Sequence, residues 1–288
     1  MFADDTNLFC SSNEIKTLFL NTNLELKKIS EWFRANKLSL NEDKTTFTLF
    51  HRIQDRENLP LRLPILRIND YDIKRSSSIK FLGVLVDEHL SWTDHINILE
   101  NELSKNLGLL YKSKHFLNAN GMKSLYYSFF HSYLNYGNIA WCSTSVTKIK
   151  KLYSKQKQAI KALSVTSEDY SGLKIEDLME KTGILNIYKL NIYHVINLMF
   201  RVKNNTIPEA FVNKFEIVHH HYQTRHSENN FIEPKIYFKA TKFAISSRGP
   251  RLWNSLTDKD IKTITSTPLF KRRLKNHLIK IKNITNYF

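Results

Sequence analysis

Apolar positions along this chain recur mostly at helical spacing, broken near the amino terminus by shorter runs that suit strands. Ile15, Leu18, Phe19, Leu26, Ile29 and Phe33 share one face of a 3.6-residue repeat. With Ser11-x-x-Glu14 ahead of them as a capping box, they predict a helix over residues 13–35. Residues 45–50, β-branched and aromatic, predict a strand. Residues 51–64, polar and holding Pro60 and Pro64, predict a loop, and 65–69 and 79–86 two further strands. From Thr93, read as an N-cap, the pattern turns helical. Ile96, Leu99, Leu103, Leu107 and Leu110 form one stripe; Met122, Leu125, Tyr126, Phe129, Phe130 and Tyr133 form a second. A third joins Ile149, Leu152, Tyr153, Gln156, Ile160 and Leu163. Further helices are predicted over 173–180 and 186–202, and a basic amphipathic one runs from Pro268 to Ile281.

Strand, helix and strand make an α+β layer, and three amphipathic helices with short links make a small bundle. With seven glycines and six prolines, long helices are favoured over a many-turned β protein. The expected divisions are residues 1–90, 91–165 and 166–288. Two cysteines, Cys10 and Cys142, supply neither a disulfide framework nor a zinc site. No apolar run is long enough to cross a bilayer, and Asp4 and Asp5 spoil a signal-peptide reading, so an intracellular protein, nuclear or cytoplasmic, is expected.

Charge changes the picture more than composition does. The net charge is +16, with 17 Lys/Arg against 16 Asp/Glu in residues 1–144 and 26 against 11 in residues 145–288. A basic half joined to a neutral one suits a polyanionic partner; a solvated, highly charged surface is the plain alternative. Lys148, Lys150, Lys151, Lys155, Lys157 and Lys161 surround the third stripe. The tail helix, with Lys271, Arg272 and Arg273, would suit RNA, a membrane surface or a partner equally well. His219, His220, His221 and His226 fall in a polar stretch read as a solvated loop, since adjacent histidines cannot face one metal from a single short element.

The candidate chemistry is concentrated in Met1-Phe2-Ala3-Asp4-Asp5-Thr6-Asn7-Leu8-Phe9, where two carboxylates interrupt an apolar run and predict a hairpin with acids at its tip. Neighbouring carboxylates repel and are costly to desolvate, so such a tip calls for a cation, and hard oxygen donors favour magnesium. There is no glycine-rich phosphate loop, G-x-S-x-G elbow, H-E-x-x-H or internal repeat.

Phe2-Ala3-Asp4-Asp5 resembles the [F/Y]-x-D-D box of reverse transcriptases. The boxes after it resemble those of non-LTR (LINE-like, jockey-type) retrotransposons: Leu38-Ser39-Leu40-Asn41-Glu42-Asp43-Lys44-Thr45, then Phe81-Leu82-Gly83-Val84 with Ser91-Trp92 and His95, then Ser247-Arg248-Gly249-Pro250-Arg251-Leu252-Trp253-Asn254. The resemblance implies a truncated palm end (hairpin, helix, strands), a mainly helical thumb and a basic carboxy-terminal extension. It implies RNA-templated DNA synthesis in the intact parent. The partners would be an RNA template, a DNA primer or RNA–DNA hybrid, and deoxynucleoside triphosphates, not a membrane.

Carried over, Asp4 and Asp5 hold Mg2+ and Lys44 lies near the leaving pyrophosphate, although a plain exposed lysine fits that position as well. Phe2, Phe81, Leu82 and Gly83 contact the primer end; without the neighbouring boxes, the 79–86 run of Leu and Val around one Gly reads as an ordinary buried strand. Lys148, Lys151, Lys155, Arg248, Arg251, Lys271, Arg272 and Arg273 contact nucleic acid. A further metal-binding Asp and the nucleotide-binding fingers would precede Met1, so the chain alone is expected to be inactive. The alternative reading is a non-catalytic RNA- or DNA-binding remnant.

Overall fold

The helix expected over 13–35 forms as α1 (Ile15–Ala35) and buries Phe19, Leu26 and Phe33, while Leu20, Leu24 and Trp32 on the same helix stay exposed. The computed structural model describes residues 5–164, 170, 172–218, 230–235, 244–256 and 258–281. It divides into two compact units, Met1–Trp92 and Thr93–Phe288. The coarse class is α+β, mostly helix with a few short strands.

In the first unit the strands are brief: β1 (Thr46–Phe47), β2 (Arg67–Ile68), β3 (Tyr71–Asp72), β4 (Lys74–Arg75), β5 (Ser78–Phe81) and β6 (Val84–Asp87). β1 pairs with β4 in parallel, and β2–β3 and β5–β6 pair antiparallel. Phe19 and Leu26 pack on Leu66 and Ile68, with Phe47 and Ile73 at the margin. Asn23 fastens α1 to the β2 edge, donating to the Ile65 carbonyl (3.0 Å) and accepting the Arg67 N–H (2.9 Å). Ser30 donates to Asn69 (2.7 Å), which donates in turn to Glu42 (3.0 Å).

Three expectations change. The capping box does not form: the helix begins at Ile15, so Glu14 is itself the N-cap, and its carboxylate accepts from the Thr17 hydroxyl (3.1 Å). Residues 79–86 are not one strand but two arms of a hairpin in which Phe81 faces Val84. Its central residues Leu82 (φ 46) and Gly83 (φ 82) both lie in the left-handed region, the backbone that matches the twist of a two-residue hairpin. Residues 51–64 include a 3₁₀ turn, Ile53–Asn58.

The link into the second unit is wound around Asp87. Its carboxylate accepts the backbone N–H groups of His89 (3.2 Å), Ser91 (3.0 Å) and Trp92 (2.7 Å). Burial alone would raise its pKa; the converging N–H groups and the Ser91 hydroxyl outweigh burial and hold it below the ordinary aspartate value. Leu90 (φ 52) and Trp92 (φ 61) are held in left-handed backbone by this grip.

The second unit is helical: α2 (Thr93–Ser113), α3 (Ala119–Tyr126), a π-turn (Tyr127–His131), α4 (Ser132–Asn135), α5 (Asn138–Trp141), α6 (Val146–Ser164), α7 (Ile175–Thr182), α8 (Ile187–Lys203), α9 (Glu209–Val212), α10 (Ile245–Asn254), α11 (Lys259–Thr263) and α12 (Thr267–Lys280). α3, the π-turn and α4 run on from one another, with the Ser132 N–H reaching five residues back to the Tyr127 carbonyl. α2 packs along α6, and α8 is the hub on which α5, α6, α10 and α12 rest.

Gln156, on the apolar face of α6, is fully buried because all its polar atoms find partners. Its amide donates to the Tyr126 hydroxyl and the Leu185 carbonyl (both 3.0 Å), and its oxygen accepts the Ile187 N–H (2.9 Å). Helices before and after residue 165 therefore share one core. Phe200 stacks on Phe270 at 3.9 Å, seating the tail helix α12 on α8. A Cβ at Gly249 would lie 2.5 Å from the Met199 sulfur, so α10 approaches α8 more closely than a larger residue permits.

Candidate nucleic-acid interface

Phe2 and Asp4 lie outside the described residues, as do His219, His220, His221 and His226. Asp5 is exposed, and residues 6–12 carry no regular strand. The second arm of the expected acidic hairpin is thus not a strand: Leu8 and Phe9 remain exposed (39% and 71%), without the buried face that fixes a strand's register. Phe9 nonetheless meets Phe81 edge-on at 5.9 Å, which brings the segment after the acid pair to the β5–β6 hairpin. Leu82 and Gly83 form that hairpin's exposed tip. Lys44 is exposed at the end of a 3₁₀ turn, Glu42–Lys44, whose N-cap Asn41 accepts the Lys44 N–H. Among the described residues no three His, Cys, Asp or Glu side chains gather where they could hold a metal ion.

Charge follows the structural boundary more sharply than the midpoint of the sequence. Residues 1–92 carry 13 Lys/Arg and 13 Asp/Glu, and residues 93–288 carry 30 and 14, so the entire net +16 belongs to the helical unit. Lys150, Lys151 and Lys161 on α6 and Lys271, Arg272 and Arg273 on α12 are exposed. Lys151 sits 3.8 Å from Glu100, a solvated pair of little energetic weight. Lys148, partly buried, donates to the Thr93 hydroxyl (2.6 Å), and Lys155 is partly buried.

The 247–254 motif is a packing device. Arg248, expected to contact nucleic acid, is buried at 4% exposure beside Gly249, Pro250, Leu252 and Trp253, so it presents no guanidinium to a phosphate; burial lowers its pKa. Asn254 clamps a neighbouring segment, accepting the Phe231 N–H (3.0 Å) and donating to the Phe231 carbonyl (2.8 Å). Arg251 alone of the two arginines keeps partial exposure.

Sequence reasoning missed a cleft of about 490 Å³ in the helical unit, between the π-turn, α8 and α12. Arg201, Lys271 and Lys275 line it with His131 and His194, and among the described residues no Asp or Glu does. Burial, reinforced by Lys275 beside His131 and Lys271 beside His194, pushes both imidazoles down to about 4, leaving them neutral at pH 7. His194 Nε2 and Asn135 Oδ1 are 2.8 Å apart, which makes that nitrogen the N–H donor. Two buried polar atoms in the cleft wall, His131 Nδ1 and Asn197 Oδ1, have no hydrogen-bond partner among the described residues. The available signal was the i,i+4 spacing of Tyr127 with His131 and of Lys271 with Lys275.

No helix among the described residues is long and apolar enough to cross a membrane. No protein-family profile, characterised protein or solved structure matches the chain.

Proposed function

We propose that this chain is the palm-end and thumb part of a non-LTR retrotransposon reverse transcriptase, and that by itself it binds nucleic acid rather than polymerises it. The observation that carries the reading is the ordered series of boxes, Phe2-Ala3-Asp4-Asp5, Leu38 to Thr45, Phe81-Leu82-Gly83-Val84 and Ser247 to Asn254, in one chain. Three structural features support it. The segment after the acid pair touches the hairpin assigned to the primer end through Phe9 and Phe81. The exposed Leu20, Leu24 and Trp32 of α1 lie on the side opposite the face that packs on Leu66 and Ile68, an apolar surface that a neighbouring part of the parent protein would cover. The whole net charge lies on the helical unit that would hold the template–primer duplex.

In this reading Asp4 and Asp5 would supply hard oxygen ligands to magnesium, and a bound magnesium would supply Lewis-acid chemistry at the primer hydroxyl and the pyrophosphate. Phe2 and the 81–83 tip abut the primer end, and Lys44 faces the pyrophosphate. Two carboxylates from one tip are half of the metal cage this chemistry uses. Lysines and arginines on α6 and α12 track the phosphate backbone without reading bases, so binding is independent of sequence.

Crosslinking the full chain to a photoactivatable RNA–DNA hybrid and mapping the attached peptides tests this. Attachment within residues 146–164 and 267–281, with weaker attachment near 81–83, is expected. Attachment spread evenly over the chain, or none at moderate salt, would contradict it.

A further inference from the structure

We propose that the cleft between the π-turn, α8 and α12 is a binding site for an organic phosphate of nucleotide size, its phosphate held by Arg201, Lys271 and Lys275. Three cations converge on this cleft and no carboxylate among the described residues lines it, so the described walls leave its positive charge unneutralised. A cationic site of this kind recruits a polyvalent anion, and partial enclosure strengthens each contact over its value in water. The imidazoles of His131 and His194 are neutral at pH 7 and so add hydrogen-bonding groups without adding charge.

The unpartnered atoms give the site its second requirement. Buried polar atoms are nearly always satisfied, and an orphan costs roughly 1–3 kcal/mol, so each one asks for an explanation. His131 Nδ1 and Asn197 Oδ1 are both orphaned, both in this wall, and a ligand hydroxyl or ring N–H would satisfy Asn197. Beside them Tyr193, Leu198 and Ile139 offer a ring and apolar surface to the body of the ligand. The volume, about 490 Å³, falls within the range of small-ligand sites. The π-turn that places Tyr127 and His131 is an irregularity that recurs at functional sites.

The same chemistry could be presented by a free mononucleotide or by one unstacked nucleotide of an RNA strand. The assignment shares Lys271 with the proposed nucleic-acid interface but draws on neither the acid pair nor α6. Calorimetry of the full chain with AMP, adenosine, inorganic phosphate and a short uridine oligomer tests the site. Lys271→Gln/Lys275→Gln serves as the variant, Lys271 being exposed and Lys275 partly so, with circular dichroism as the check that it is folded.

AMP binding about tenfold or more tighter than either phosphate or adenosine, and weakened about tenfold or more by the variant, supports the proposal with a free nucleotide as ligand. Tighter binding of the oligomer than of AMP, lost in the same variant but retained in Lys150→Gln/Lys151→Gln, supports it with a strand as the source. Absence of binding by AMP and oligomer alike, or binding that the variant leaves unchanged, overturns it. Failure of long duplexes to bind while AMP still does would remove the proposed function and leave this site standing.

Discussion

Replacing Gln156 isolates the claim that the helices on either side of residue 165 form one core. The side chain is fully buried and satisfies three groups at once: the Tyr126 hydroxyl on α3, the Leu185 carbonyl ahead of α8, and the Ile187 N–H at its first residue. Leaving a buried partner unsatisfied costs roughly 1–3 kcal/mol, and Gln156→Ala adds a cavity that the surroundings fill only in part. Some relaxation and water entry offset this, so a loss of roughly 3–5 kcal/mol is expected, a large share of the roughly 5–15 kcal/mol that stabilises a typical domain. Gln156→Leu restores the volume but not the bonds, and is expected to lose roughly 2–4 kcal/mol. Urea unfolding followed by far-UV circular dichroism, and by the fluorescence of Trp141 and Trp253 in variants lacking the tryptophans of residues 1–92, gives both the loss and its reach. The two reporters lie on opposite sides of residue 165 and should move together to a lower midpoint. A loss below about 1 kcal/mol, or a shift confined to one reporter, would refute the shared core.

Further outcomes follow from the same physical reasoning. Asp87→Ala removes the acceptor for three backbone N–H groups and frees Leu90 and Trp92 from left-handed backbone; a loss of roughly 2–3 kcal/mol is expected in urea unfolding of residues 1–92, and a neutral result would mean the turn is held otherwise. His131 and His194 are held at about 4 in the fold against roughly 6.5 when unfolded, so their contribution to stability is complete above pH 6.5 and is lost as pH falls toward 4. Partial exposure limits this to roughly 1–2 kcal/mol each by pH 5, measurable as a drop in urea midpoint from pH 7.5 that His131→Gln/His194→Gln reduces; an equal drop in the variant would contradict the cause. If, as proposed, Asp4 and Asp5 supply only half of a metal cage, the 288-residue chain should extend no primer on a primed RNA template with magnesium or manganese; extension abolished by Asp4→Ala would show that other carboxylates complete it.

Periodicity made the helical unit legible. α2, α6, α7, α8 and α12 fall where apolar stripes or caps place them, because a helix buries a face that its own residues declare. The first unit was harder to read because strands of two to four residues carry too little alternation to register. The Leu82–Gly83 turn was hidden because leucine is an unusual occupant of left-handed backbone. Arg248 was misplaced because arginine is ordinarily a surface residue, whereas here it is buried with Gly249 and Pro250 in α10, where that helix approaches Met199. The cleft was illegible for a tertiary reason: residues 127–135, 190–201 and 271–275 meet only through the seating of α12 on α8 by Phe200 and Phe270.

The central claim is that the helical unit binds nucleic acid through phosphate contacts, and a salt series with the full chain on an RNA–DNA hybrid tests it most directly. Lys150, Lys151, Lys161, Lys271, Arg272 and Arg273 are six of the exposed cations on α6 and α12. If all six engage, each neutralised phosphate releases counterions, giving a log–log slope of roughly −0.9 per contact on B-form duplex, or about −5 in all. Affinity should fall on the order of a thousandfold between about 50 and 200 mM salt, and Lys271→Gln/Arg272→Gln/Arg273→Gln should flatten the slope by about 3 units without altering the preference among sequences. A slope shallower than about −2, or one that the triple variant leaves unchanged, would contradict the account and reduce the +16 to ordinary surface charge.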